Sequence, residues 1–350
     1  MQLSICIATY NRGRFIGETL DSVVSQLRPG VEIVVVDGAS PDDTQTVVSD
    51  YVARFPAIRY FRESKNSGVD GDYDKAVEYA LGDHCWLFPD DDLLAPSAID
   101  RALEALEGGA VDLLVVDAEI RDVSLTRTLQ PRRLKLKGER SYWPEDANAL
   151  LRDAGYALSF IGSTIIRRSL WMSRSRKPYF GSLFVHVGVI FQAPALGHAK
   201  VLPEALVSIR AGNAMWRPRS FEIWAFKWPS LIWGFDGYTD EARQAVTPRE
   251  PWRNFCWLLG YRAFGAYSKS EYDQYFSGMK LGLQGLVLRL IAALPGQLAN
   301  LLGVGGLALL GKGGGPVVYE LVTCSRYSNW ASRLLAGLCR GRLNSSAIAA

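Results

Sequence analysis

The sequence predicts an α/β protein built on a mostly parallel sheet with helices on both faces, continued by a helical C-terminal region of different chemistry. Three observations carry this. Over the first 120 residues, short apolar runs rich in β-branched and aromatic residues alternate with helical stripes, and strands spaced by helices imply parallel pairing through crossover helices. Polar or acidic clusters follow four successive apolar runs. Charge changes sign along the chain: 8 basic against 17 acidic residues in 1–100, 21 against 16 in 101–250, and 10 against 3 in 251–350.

The runs at 3–7, 31–36, 58–61, 85–88 and 113–116 read as buried strands. Between the first two, apolar residues at 15, 16, 20, 23, 24 and 27 form one helical stripe. Ser40-Pro41-Asp42-Asp43 then supplies an N-cap, a proline at the first helical position and early acidic residues. Helices over 76–81 and 96–106 complete the series. Beyond 120 the pattern predicts a strand over 163–167, a helix over 184–196 and a strand over 201–209. Arg132-Arg133-Leu134-Lys135-Leu136-Lys137 alternates charge with leucine and reads as a solvated edge strand; it is short and lacks the aromatic platform of a nucleic-acid patch, so no nucleic acid is expected as a partner. The predicted divisions are an N-terminal domain over 1–215, with halves 1–120 and 121–215, an aromatic-rich helical region over 216–280, and an apolar, basic region over 281–350.

A chain of 350 residues that is 48% hydrophobic and 21% charged excludes wholesale disorder. Its five cysteines (Cys6, Cys85, Cys256, Cys324, Cys339) are scattered without a C-x-x-C pair, which suggests neither a disulfide framework nor a zinc cluster and fits a reducing compartment. The first residues carry no basic stretch before a short apolar one, so the chain is expected to begin in the cytoplasm. Six of the ten tryptophans fall in 216–257, a density that suits helix packing or a membrane or sugar-stacking surface. Residues 290–311 run without a charge, long enough on paper to span a bilayer, although Pro295, Gly296, Gln297, Asn300, Gly303, Gly305 and Gly306 weaken that reading. A basic helix over about 317–339, with Arg326 and Arg333, then Arg340 and Arg342, beside Trp330, Leu334 and Leu335, predicts an element lying on an anionic membrane surface.

The polar clusters are Ala8-Thr9-Tyr10-Asn11-Arg12, Asp37-Gly38-Ala39-Ser40-Pro41-Asp42, Asn66-Ser67-Gly68-Val69-Asp70 and Asp90-Asp91-Asp92. In a parallel sheet all four share the carboxyl rim, where such folds bind ligands. Three adjacent carboxylates repel one another unless a cation or hydrogen-bond donors offset them, and hard oxygen ligands beside a diphosphate suit Mg²⁺ or Mn²⁺. Tyr10 could stack on a base. Asp37 and Ser40 could hold a base edge or ribose, Ser40 capping the next helix as well.

These segments, together with Glu32-Ile33-Val34-Val35-Val36 before Asp37 and Gly82-Asp83-His84-Cys85-Trp86-Leu87-Phe88-Pro89 before Asp90, resemble glycosyltransferase family 2 with its GT-A fold, in order and with normal spacing over about the first 120 residues. The Asp70 segment, Phe184-Val185-His186-Val187-Gly188 and Arg210-Ala211-Gly212-Asn213 are most similar to abequosyltransferase-like members that build O-antigen or related polysaccharide. The resemblance implies a nucleotide-sugar site formed by Ala8, Thr9, Tyr10, Asn11, Arg12, Asp37, Ser40, Asn66, Gly68, Asp70, Asp90 and Asp91. Within it Ala8 and Tyr10 line the nucleotide pocket, Asp37 meets the base, and Asp91 faces ribose or diphosphate. Asp90 and Asp92 are the expected ligands of Mg²⁺ or Mn²⁺, and Asn213 and Trp216 the expected acceptor contacts. Ala8 replaces the Pro or Thr of many members and Gly71-Asp72 their Arg-Asn, which leaves the nucleotide open.

An inverting transfer needs a general base. Where the family has Asp or Glu at a helix start, this chain has His186, expected to act with Asp92 in catalysis because imidazole accepts a proton near neutrality. The expected reaction moves a sugar from a nucleotide donor to a lipid-linked (polyprenyl diphosphate) saccharide at the cytoplasmic face of a bacterial inner membrane, on an anionic lipid surface. Two rivals are a sugar nucleotidyltransferase, for which Ala8–Arg14 makes a poor Gly-rich activation loop, and a non-catalytic assembly protein with a relict site, against which the intact Asp triplet argues.

Overall fold

The computed structural model describes residues 2–108 and 110–346, with side chains as far as Leu338; the expectations on Cys339, Arg340 and Arg342 fall outside the described side chains. The chain divides into two compact units that are not continuous in sequence. One comprises the chain up to Glu119, Pro131–Ile209 and Leu231–Thr247; the other comprises Ile120–Gln130, Arg210–Ser230 and the chain from Pro248 onward.

The first unit holds the sheet. β1 (Leu3–Thr9), β2 (Val31–Asp37), β3 (Ile58–Arg62) and β4 (His84–Phe88) are all parallel, with β1 between β2 and β4. Every residue of β2 and β4 is buried, as continuous apolar strands covered on both faces require. The remaining strands are β5 (Leu93–Leu94), β6 (Leu113–Arg121), β7 (Thr128–Gln130), β8 (Arg140–Tyr142), β9 (Thr164–Arg167) and β10 (Ala199–Arg210). The order is β3-β2-β1-β4-β9-β6-β10-β5, with β7 on β6 and β8 on β10. β9 runs antiparallel to both β4 and β6, which keeps β6 parallel to the first four strands. The helices of this unit include α1 (Gly13–Val24), α2 (Thr44–Arg54), α3 (Gly68–Tyr79), α4 (Ala98–Leu106), α5 (Ala147–Ala154), α6 (Arg168–Ser173) and α7 (Val185–Phe191). α1 buries Ile16, Thr19, Leu20 and Val23, the helical period its stripe requires. Ile16, Leu20 and Val23 join Ile5, Ile7, Ile33, Val35, Trp86 and Phe88 in one core.

Three sequence expectations change here. α2 begins at Thr44 with Asp43 at its N-cap position, so Ser40 is not a cap; its hydroxyl accepts from Asn11 N instead (2.9 Å). The basic stretch 132–137 forms no strand. Arg133 N and Leu134 N both donate to the buried Asp117 Oδ1 (2.9 Å each), and an acceptor with that many local partners draws the backbone out of any ladder. α3 begins at Gly68, eight residues before the predicted start.

The second unit is helical, with Phe255–Phe264, Lys269–Tyr275, Gly282–Ala293, Gly296–Leu309, Pro316–Thr323 and Trp330–Ser346. Phe221 sits at the centre of a ring cluster that includes Phe226, Trp257, Tyr261, Tyr267, Tyr275 and Phe276, and Trp252 is buried with them. Packing therefore accounts for much of the aromatic density. The charge-free run does not form one helix: it is divided between Gly282–Ala293 and Gly296–Leu309, bent by 105° at Leu294-Pro295, where the missing proline N–H and the restraint on the preceding residue end the first helix. No single helix among the described residues is long and apolar enough to cross a membrane. The predicted basic helix is likewise two, Pro316–Thr323 and Trp330–Ser346.

Candidate active site

Because β1 to β4 are parallel, their carboxyl ends share one rim. Strand register aligns Thr9, Asp37 and Arg62 across three of them and Ile7 with Phe88 across the fourth. The loops that leave this rim are tied to each other by side chains. Asp42 accepts from Gly13 N (2.9 Å) and Thr44 N (3.1 Å), and Thr44 Oγ1 accepts from Arg12 N (2.9 Å), so the starts of α1 and α2 are held as a pair. Burial alone would raise the Asp42 carboxyl; the hydrogen bonds from Thr44 and Gly13 outweigh it and hold it below 3.8. The approach is close enough that a Cβ on Gly13 would lie 2.9 Å from Thr44 N. Asn11 and Ala39, at the tips of the two loops, have φ of +59° and +62°, a left-handed conformation unfavourable for alanine and maintained by the surrounding bonds.

Asp37 is fully buried. Its Oδ1 accepts from Ser40 N (2.8 Å), and Oδ2 accepts from the Tyr60 hydroxyl (2.6 Å) and Arg62 Nη1 (2.9 Å). In this structure it orders the rim. Tyr10 is exposed beside it, and Ala8, one register step back, pairs with Val36. Asn66 Oδ1 accepts from Gly68 N (2.7 Å), an Asx turn that delivers the chain into α3.

The acidic triplet follows β4. Trp86 anchors the strand, its indole N–H donating to the Gly162 carbonyl (2.8 Å), and the Tyr73 hydroxyl donates to the Phe88 carbonyl (3.0 Å). Thr19 Oγ1 donates to the Asp92 carbonyl (2.9 Å), so α1 positions the loop as well. Arg12 Nη2 lies 2.9 Å from Asp91 Oδ2 and Arg12 Nε 3.5 Å from Asp90 Oδ1, all three side chains being nearly buried. Burial first, and the Asp91 charge second, push the Asp90 carboxyl up to about 7, although Arg12 and the Thr9 hydroxyl pull it down.

Adjacent carboxylates on a ligand-binding rim are the donor type a hard divalent cation takes. Among the described residues no three His, Cys, Asp or Glu side chains are arranged to hold a metal by themselves; Mg²⁺ is generally held by one or two carboxylates together with substrate phosphates and water.

Two expected residues are bonded internally. Asp70 is buried; its Oδ2 accepts from Gly181 N (2.8 Å) and Leu183 N (2.9 Å), and its Oδ1 from Val185 N (3.0 Å). It clamps the loop into α7, including Leu183 at φ +73°. His186, expected to be the base, is 1% exposed. Its Nε2 donates to the Leu158 carbonyl (2.7 Å), since a carbonyl can only accept, and burial lowers its pKa to about 4. In this structure the ring is enclosed within the first unit, with Nε2 engaged by that carbonyl.

Sequence reading missed Arg62, Tyr60 and Thr44 as organisers of the rim; the register that places Arg62 beside Asp37 was the available signal. It also missed an aromatic surface beside the triplet. Arg133 lies between the rings of Tyr156 (5.4 Å) and Phe160 (5.6 Å) and donates to the Ala157 carbonyl (2.8 Å). Gly162 is packed against both Phe160 and Pro89, next to Asp90. Asn213 and the exposed Trp216 belong to the second unit, where Trp216 meets Trp224 edge to face at 6.2 Å.

A sheet whose parallel strands β1 to β4 end on one polar rim is the architecture of an α/β protein that binds a ligand there, and comparison with known proteins narrows the class. Residues 4–171, just under half of the chain, match the model described as glycosyl transferase family 2, so this part of the chain is similar to members of that family. Abequosyltransferase RfbV of Salmonella typhimurium is 28% identical over 209 residues, covering 55% of this chain and 62% of the relative. The GalNAc(5)-diNAcBac-PP-undecaprenol beta-1,3-glucosyltransferase of Campylobacter jejuni is 28% identical over 109 residues, 31% of this chain and 35% of that one. The chain thus spans less than two thirds of the length of these curated relatives. Among solved structures, mannosyltransferase PcManGT from Pyrobaculum calidifontis, in complex with GDP-Man and Mn²⁺, superposes with a TM-score of 0.51 at 19% identity, covering 84% of this chain and 86% of its own, which shows the shared fold.

Proposed function

We propose that the protein transfers a sugar from a nucleotide-sugar donor, bound on the carboxyl rim of β1 to β4, to a saccharide carried on polyprenyl diphosphate, in bacterial surface polysaccharide assembly at the cytoplasmic face of the inner membrane. The observation that carries this reading is the Asp90-Asp91-Asp92 triplet at the carboxyl end of β4, nearly buried and with Arg12 ion-paired to Asp90 and Asp91. A nucleotide sugar leaves a diphosphate behind, and the rim presents the partners a diphosphate needs. Asp90 and Asp92 would hold Mg²⁺ or Mn²⁺, which when bound supplies positive charge at the leaving group. Arg12 contributes a guanidinium at the same place. Tyr10 offers an exposed ring for the base. Tyr156, exposed and with Arg133 over its ring, offers a ring against which an acceptor sugar can stack. The names of the Salmonella and Campylobacter relatives, one an abequosyltransferase and one acting on a -PP-undecaprenol substrate, support the polysaccharide and lipid-linked parts of the reading.

The test is thermal unfolding of the purified protein with CDP, UDP, GDP or dTDP, each with and without Mn²⁺, followed by transfer assays with sugars of the nucleotide that stabilises. One nucleoside diphosphate with Mn²⁺ is expected to raise Tm by mass action, and Asp92→Asn to remove both the Mn²⁺-dependent rise and transfer while leaving the unliganded Tm near wild type. No stabilisation by any of the four, or full transfer by Asp92→Asn, would overturn the reading.

A further inference from the structure

The second unit turns apolar side chains outward where a water-facing helix carries polar ones. In Gly282–Ala293 the inner face, Leu288 and Ala292, is buried in the unit's core, yet the outer face is Leu283 (84% exposed), Leu286 and Leu290 (60%), spaced three and four residues apart on one stripe. In Gly296–Leu309, Ala299 and Val304 face inward while Leu298, Leu302 and Leu309 (92%) face outward. In Trp330–Ser346, Ala336 is inside and Trp330 (78%), Leu334 and Leu338 are outside. Helices apolar on both faces have a second apolar surrounding to meet.

Charge identifies that surrounding. From residue 274 to 350 the sequence has one acidic residue, Glu320, against seven basic ones, and Glu320 is paired with Arg217 (3.1 Å). Arg289 and Arg333 lie on the outer stripes themselves, beside Leu290 and Leu334. Outward leucines and a tryptophan interspersed with cations match the interface of an anionic bilayer, with leucines in the acyl boundary and arginines at the headgroups. A spanning geometry does not fit: helices of 12 and 14 residues rise roughly 18 and 21 Å at 1.5 Å per residue, short of the ~30 Å hydrocarbon core, and they are bent by 105°.

We propose that the outer faces of Gly282–Ala293, Gly296–Leu309 and Trp330–Ser346 form a monotopic docking surface for an anionic lipid bilayer. This goes beyond the transferase reading and is tested without any donor, so its failure leaves that reading in place.

The experiment is flotation of the full chain with vesicles of phosphatidylcholine plus phosphatidylglycerol and with phosphatidylcholine alone. The wild type is expected to float with the anionic vesicles and more weakly with the neutral ones, the difference shrinking as salt screens it. Leu283→Glu/Leu286→Glu/Leu290→Glu is expected to bind at least about tenfold more weakly, each leucine having lost its apolar transfer, and Arg289→Glu/Arg333→Glu to lose the preference for anionic lipid. Circular dichroism and the melting curve establish that each variant is folded; if the triple variant is not, Leu283→Gln/Leu290→Gln takes its place. Absence of flotation by the wild type, or equal flotation by a folded leucine variant, overturns the proposal. So does light scattering that shows a dimer dissociated by the leucine changes in a protein that ignores vesicles, because the face then belongs to a second copy of the chain.

Discussion

A carboxylate that receives three backbone N–H groups is held in place, and Asp70 is in that position toward Gly181, Leu183 and Val185. Asp70→Asn keeps one acceptor but turns an amide N–H toward a backbone N–H. Hydrogen exchange at those three amides is expected to accelerate, with a stability loss on the order of 2 kcal/mol, the cost of a charged acceptor lost among buried donors; unchanged exchange would show that the clamp does not hold the loop. His186 predicts a different observable. Its folded pKa, about 4, is below the ordinary 6.5, so below pH 6.5 the unfolded chain takes up a proton that the folded one refuses. Stability should therefore fall as pH drops from 6.5 toward 4, by an upper bound on the order of 3 kcal/mol. Denaturant titrations across that range should show the slope in wild type and not in His186→Gln. The kcat-pH profile of the folded variant should keep the wild-type acid limb, whereas loss of that limb would identify the histidine as the base.

At the scale of elements, the rim depends on two helix starts held together by one acidic side chain. Asp42 joins Gly13, the first residue of α1, to Thr44, the first of α2. Asp42→Ala is expected to cost on the order of 1–2 kcal/mol through the lost bonds to a charged acceptor, and to weaken nucleoside diphosphate binding, because Arg12 and Tyr10 lie in the loop those bonds fix. The folded carboxyl is held below 3.8. Its contribution is therefore complete above that pH and lost as pH falls through the lowered value, so wild type and variant should converge in stability at the acid end. Parallel chemical denaturation curves at neutral and acid pH check this. A constant gap would mean that the helices are joined by packing alone.

At the scale of the molecule, all four polar clusters belong to one compact unit and the outward leucines to the other. Hydrogen exchange with the stabilising nucleoside diphosphate and Mn²⁺ is expected to slow amides in 9–13, 37–44, 66–70 and 90–92, with 282–338 unchanged, while anionic vesicles should protect 282–338 and leave the rim unchanged. Protection of both sets by either ligand would show that the two units respond as one body.

The sequence by itself determined the strands of the parallel sheet, the shared rim and the four clusters on it, because strand burial and loop chemistry repeat over a few residues and parallel pairing leaves only one end for the loops. It also determined the cationic, apolar character of the C-terminal region, which is a property of composition. Only the tertiary structure decided which polar side chains face solvent and which are used up internally. His186 is buried against Leu158, Asp70 is engaged by amides more than a hundred residues away, and Asp37 is saturated by Tyr60 and Arg62 from the neighbouring strand. It also decided that the charge-free run breaks at Leu294-Pro295 and that its leucines point outward as well as inward. The physical reason is common to all of these: a residue's type sets what it can bond, but its burial and its partners come from chain segments distant in sequence, and those segments meet only when the fold closes.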